Sequence, residues 1–200
     1  ASAQAVKFAE TEIVTVQPLS GPESIESFYD EYLAIPGILE QIILDGQSEE
    51  PSDAFILACW GDPGLEAARE VTSCPVVGIA EASMYVANML AAKWSVVTTL
   101  HRVRDMVKKT IQKTGLTERC ASVRTTTLAV LDTESDRAST LDILTQASRQ
   151  AIDEDGAEAI CLGCAGMSGL EQQLEDRLGV PVVDAVAAAV ELAESLVSMG

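Results

Sequence analysis

Two cysteines, Cys59 and Cys164, sit in the same local frame at widely separated places in the chain. The first lies in ILACWGDPGLE (residues 56–66) and the second in ICLGCAGMSGLE (residues 160–171). In each, a short apolar run leads to a cysteine, a glycine follows two residues on, and a Gly-Leu-Glu triplet comes at the same distance. Cys59, Gly61, Gly64, Leu65 and Glu66 thus fall on Cys164, Gly166, Gly169, Leu170 and Glu171 at a constant offset of 105. After one inserted residue, PVVG (75–78) matches PVVD (181–184). An apolar strand that ends in cysteine, a glycine turn and a helix start sets a thiol beside backbone N–H groups, which favour the thiolate. The glycines let the backbone come close to a ligand.

If two such turns face each other, one reaction suits them well. A thiolate on one face of a carbon removes its proton while a thiol on the opposite face returns one, inverting the centre. Each sulfur must come within about 3–3.5 Å of that carbon, so the pair should stand roughly 7 Å apart. A neighbouring carbonyl must activate the proton, and donors must meet its developing negative charge. The turn residues Trp60 and Gly61, and likewise Ala165 and Gly166, are expected to supply backbone donors. Thr98 and Thr99, at the end of WSVVTTL, are expected to add their hydroxyls.

Strands and helices must alternate to position these turns. Expected strands are 11–17, 53–59, 75–80, 94–100, 121–130, 158–164 and 181–185. Helices are expected over 24–43, with a break near Pro36 and Gly37, and over 64–71, 82–92, 102–113, 137–155, 169–178 and 188–197. Val- and Ile-rich strands alternating with helices imply an α/β fold with mostly parallel sheets flanked by helices. The internal match implies two pseudosymmetric lobes, 1–93 and 94–200, with the site in the cleft between them and the C-terminal helix available to pack back on the first lobe. Ligands in such sheets collect beyond the C-terminal strand ends, where both cysteines lie. The second half supplies one more strand-helix unit than the first, so about 15 further residues, a strand and a helix start, are expected to precede Ala1.

Composition narrows the function classes. Thirteen basic against 31 acidic residues leave a net charge of −18, unsuited to nucleic acid or anionic membranes. Apolar runs are too short to span a bilayer, and the five cysteines without a secretion signal point to a reducing, cytoplasmic setting. Cys74, Cys120 and Cys161 read as structural, and Cys161 faces away from Cys164 on an expected strand. One histidine, His101, with scattered cysteines makes no metal site. No dinucleotide or phosphate-binding loop is present, so no cofactor is expected. Trp60 could wall a pocket or turn into the core, and Asp62 could orient the Cys59 turn or repel a bound carboxylate.

The segments at the cysteine turns also resemble a known family, the Asp/Glu/hydantoin racemase superfamily, and within it the hydantoin and allantoin racemases. SIESFYDEYLAIPGILEQI, DAFILACWGDPGLEAARE, PVVGIAEASM, WSVVTTL, AICLGCAGM and VPVVDAVAAAVELAESL look like family segments in family order. ACWGDPG is the specific one, because amino-acid racemases of the superfamily usually carry Cys-Asn-Thr there. The resemblance implies a cofactor-independent, homo-oligomeric enzyme of two lobes, with Cys59 and Cys164 as acid/base pair at the ring carbon of a hydantoin or cyclic ureide. It places Ser24, Ile25 and the turn at Gly21-Pro22 along the ring pocket. Family members open with a strand ending in Asn-Pro-Asn-Ser/Thr, which this sequence lacks. Few Lys or Arg lie near the turns, which favours a small neutral substrate over a free amino acid. Other readings are an amino-acid racemase, a decarboxylase or a cis-trans isomerase on the same fold, and a non-catalytic binding protein.

Overall fold

Parallel ladders of two sizes organise the chain. The computed structural model describes residues 2–200. Strands β1 (Phe55–Leu57) and β2 (Val76–Gly78) form one parallel pair. Strands β3 (Trp94–Leu100), β4 (Cys120–Thr126), β5 (Ala159–Leu162) and β6 (Val182–Val183) form a four-stranded parallel sheet in the order β4-β3-β5-β6. Helices α1 (Ser2–Val6), α2 (Phe28–Asp45), α3 (Leu65–Val71) and α4 (Ile79–Leu90) belong with the first sheet. Helices α5 (Arg104–Lys113), α6 (Arg137–Asp155), α7 (Glu171–Leu178) and α8 (Ala185–Ser198) follow the strands of the second. The fold is α/β, two lobes of parallel sheet flanked by helices.

The internal repeat extends to individual hydrogen bonds. Phe55 pairs with Val76 and Ile56 with Val77, as Ile160 pairs with Val182 and Cys161 with Val183. Phe55 N donates to Pro75 O at 2.9 Å, and Ile160 N donates to Pro181 O at the same distance. The β1-α3-β2-α4 unit and the β5-α7-β6-α8 unit are therefore built in one register.

The lobes share an interior. One continuous apolar cluster joins Trp60, Val77, Ile79 and Met84 of the first to Trp94, Val96, Val107, Cys161, Val183 and Ala189 of the second. α8 packs on α4 and α1 and on both strands of the smaller sheet. A second cluster, with Val97, Leu144, Ile160, Leu162 and Leu174, lies between the larger sheet and α6 and α7.

Two expectations are corrected. Residues 11–17 form no strand: Val14 and Val16 are 69% and 63% exposed, and no ladder partner runs beside them. β propensity alone does not hold a strand that lacks both a partner and a covered face. α2 does not break at Pro36 but runs through it. Ser27 caps its start by accepting from Asp30 N, Asp30 and Glu31 suit the positive helix end, and Ala34, Gly37 and Ile42 bury its inner face. That packing outweighs the one backbone bond a proline removes.

Candidate active site

Cys59 lies two residues beyond β1, and its turn is tightly wired. Asp62 N donates to Cys59 O at 2.9 Å and Leu65 N to Asp62 O at 3.2 Å, leading straight into α3. Asp62 holds a left-handed φ of 47°, uncommon for a residue with a side chain. Its buried carboxylate accepts from Ala80 N (3.0 Å) and Glu81 N (2.8 Å), the opening amides of α4. From the other lobe, the Thr110 hydroxyl on α5 lies 3.4 Å from Gly61 O.

The Cys164 turn repeats this plan with different fastenings. Met167 N donates to Cys164 O at 3.1 Å, the counterpart of the Asp62 bond. Arg137, at the start of α6, donates Nη1 to Gly166 O (2.9 Å) and Nη2 to Ser168 O (2.7 Å). Asp184, capping α8, accepts from Ser168 Oγ (2.8 Å) and Gly169 N (2.9 Å). A side chain on Gly166 would begin 2.1 Å from Thr133 Oγ1, so glycine there serves protein packing. A Cβ on Gly61 would meet nothing within 4 Å, so that position opens onto free space.

Both thiols are held toward the protonated form. Burial pushes Cys59 up to about 12, and the charges of Cys164, Asp62 and Glu31 push the same way, while the Gly61 amide pulls it back. Burial also raises Cys164, helped by Glu134 and Glu26, and the Gly166 amide opposes them. The turn amides therefore act on the sulfurs as the sequence suggests, but desolvation outweighs them. The charge of the Cys164 sulfur is among those felt at Cys59.

The remaining expected residues divide. Gly61 is half-buried, and Ala165 and Gly166 form the 3-10 turn after Cys164. Ser24 and Ile25 are half-buried, and Ile25 packs on the shared core. The next residue, Glu26, fastens their loop to the second lobe: Oε1 accepts from Val130 N at 2.9 Å and Oε2 pairs with Arg102. Thr98 is 1% exposed, and its hydroxyl donates to Gly163 O at 2.8 Å. Thr99 is 2% exposed. Trp60 turns into the shared core, 4% exposed, with its indole N–H unpaired.

Cys161 is fully buried, with Sγ 3.6 Å from Ser83 O, and all five cysteines are free. His101 is exposed on the turn after β3. Among the described residues no group of His, Cys, Asp and Glu could hold a metal ion. Among the described residues no helix is long and apolar enough to cross a membrane. Glu26, Arg137 and Asp184 escape a reading by motif. Only the Gly78–Asp184 mismatch within the PVVG/PVVD repeat marks one of them in the sequence.

Known proteins share this fold. The model of the family Asp/Glu/Hydantoin racemase matches residues 1–193. The hydantoin racemase of Pseudomonas sp. (strain NS671) is 51% identical over 199 residues, covering 100% of this chain and 79% of that protein. The allantoin racemase of Pseudomonas fluorescens superposes with a TM-score of 0.95 at 43% identity, over 100% of this chain and 83% of its own. Arylmalonate decarboxylase, at 21% identity and a TM-score of 0.61 over 82% of this chain and 78% of its own, shares the fold. The chain belongs to the Asp/Glu/hydantoin racemase family.

Proposed function

We propose that the protein is a cofactor-independent racemase of 5-substituted hydantoins or allantoin, with Cys59 and Cys164 as its acid/base pair. The observation that carries this reading is two thiols on register-matched turns within electrostatic reach of each other. For one enantiomer the Cys164 thiolate removes the C5 proton; the electron pair left on the ring moves onto the adjacent carbonyl. Cys59 then gives its own proton to the opposite face of C5, ending as thiolate while Cys164 ends as thiol. For the other enantiomer the roles exchange. With Thr98 committed to Gly163, the turn amides and Thr99 are left to face the developing charge.

A neutral ring fits the charges present. Besides the other thiol, the side-chain charges acting on the two sulfurs come from Glu31, Glu134, Glu26 and, once it ionises near pH 7, Asp62, all acidic. Arg102 is engaged by Glu26. A substrate carboxylate would face net repulsion here, whereas a hydantoin ring needs only hydrogen bonds that match its amides.

The lobes are assigned to 1–93 and 94–200, the enzyme to the cytoplasm, and the working state to a homo-oligomer. Tyr29, Tyr32 and Leu33 place apolar surface on one exposed stripe of α2, which supports self-association. Light scattering at working concentration checks that assignment, and a monomer would refute it.

The decisive experiment incubates a single-enantiomer hydantoin in heavy water and follows optical rotation together with deuterium at C5. Loss of rotation with solvent deuterium at C5 is expected, abolished in Cys59→Ser/Cys164→Ser. Racemisation persisting in that double variant would refute the two-thiol reading, and binding without exchange would favour a non-catalytic binding protein. Initial rates on allantoin and on aliphatic and aromatic hydantoins separate the substrate classes.

A further inference from the structure

We infer that Asp62 and Asp184 are positioning residues, one for each thiol, each tying its cysteine turn to the start of the helix that follows the neighbouring strand. The two lobes make this tie in opposite directions. In the first, the carboxylate sits on the turn at Asp62 and reaches across to Ala80 N and Glu81 N, the first amides of α4. In the second, it sits at the helix cap, Asp184, and reaches back to Ser168 Oγ and Gly169 N of the turn while capping Val186 N and Ala187 N. The repeat aligns Gly78 with Asp184 and Asp62 with Met167, so each lobe carries one acid and lacks it at the other position.

Sterics explain the exchange. A Cβ on Gly78 would lie 2.2 Å from the Asp62 carboxyl carbon, so the two positions share one space. One carboxylate fits there, whichever strand end supplies it. Both acids are buried, and each accepts at least two backbone amides, an investment a solvated helix cap does not need. The turns they fasten carry the Gly61 and Gly166 amides that act on the sulfurs. Fixing the turn fixes the amide against the thiol, and with it the proton-transfer geometry on one face of the substrate.

This assignment rests on the two-thiol reading for its kinetic consequence but not for its chemical one, and the test separates them. The chemical arm needs no substrate: alkylation of Cys59 and Cys164 by iodoacetamide is followed by mass spectrometry against pH. Asp184→Asn should shift the Cys164 profile by about half a pH unit or more and leave that of Cys59 in place; Asp62→Asn should do the reverse. The kinetic arm measures primary isotope effects with each C5-deuterated enantiomer. Cys59→Ser and Cys164→Ser establish which enantiomer faces which sulfur.

Asp62→Asn should lower turnover about tenfold and raise the isotope effect for the enantiomer deprotonated by Cys59; Asp184→Asn should do so for the other. A rescue variant completes the set: Asp62→Met with Gly78→Asp, the pair used by the second lobe, should regain part of what Asp62→Met alone loses. Alkylation profiles that move together in both variants, isotope effects that rise equally for both enantiomers, or a double variant no better than Asp62→Met would overturn the assignment. Lobe-selective alkylation in a protein that does not racemise hydantoins would uphold the braces and refute the racemase reading.

Discussion

At the residue scale, the two glycines after the cysteines look alike in sequence and do different work. Gly61 has empty space where its Cβ would go, while Gly166 faces Thr133 Oγ1. Gly61→Ala should leave the unfolding midpoint within about 1 °C yet weaken substrate binding, read as a raised KM, because its methyl enters the open side. Gly166→Ala should cost about 1–3 kcal/mol in urea unfolding, since the neighbour must move. Asp62 adds a pH signature. Burial raises its carboxyl from 3.8 to about 7, so the folded state holds a proton that the unfolded chain has released. Its contribution is complete below about pH 4 and is lost as pH rises through 7. The stability of the wild type relative to Asp62→Asn should therefore fall across that window, by an amount on the order of a few kcal/mol in urea titrations at successive pH values.

At the element scale, most of the sheet order could be read from hydrophobic runs, because parallel strands covered on both faces leave unbroken apolar stretches. β3 and β5, nearly all buried, are the clearest cases. The failures share one cause: a pattern of residue types does not say whether a partner is present. TEIVTVQ has strand composition without a ladder, and Pro36 has a breaker's chemistry inside a helix whose neighbours hold it. The cysteine pair was legible because repetition at one offset is visible without coordinates. Arg137 was not, since its guanidinium reaches turn carbonyls 29 and 31 positions away. The hydrogen-bond partner of Thr98 is likewise hidden in the sequence. Its hydroxyl joins the end of β3 to Gly163, immediately before Cys164, and a Cβ on Gly163 would lie 2.6 Å from Thr98 Cβ. Thr98→Val keeps the shape and leaves the Gly163 carbonyl without that donor. A loss of about 1–2 kcal/mol is expected in denaturant unfolding.

At the scale of the whole molecule, something must hold the two lobes in one arrangement. The shared core supplies most of the answer: Trp60 and Ile79 from one lobe, and Val96 and Val183 from the other, lie in one cluster. Glu26 supplies a polar counterpart at the rim. It leaves the loop that carries Ser24 and Ile25, and its two oxygens meet Val130 N and Arg102 on the second lobe. The Arg102 side chain is 59% exposed, so it gains water when its partner is removed; Val130 N loses an acceptor held in a largely buried place. Glu26→Gln can keep the Val130 bond through its amide oxygen while giving up the ion pair, whereas Glu26→Ala gives up both. Unfolding should remain a single transition in both variants, because the common core is untouched. Glu26→Gln should cost little, and Glu26→Ala about 1–3 kcal/mol. If Ser24 and Ile25 line the substrate pocket, substrate affinity should follow the same order. Urea unfolding and KM measured side by side check both points. If Glu26→Ala unfolded in two separate steps, the rim latch rather than the core would be what unites the lobes.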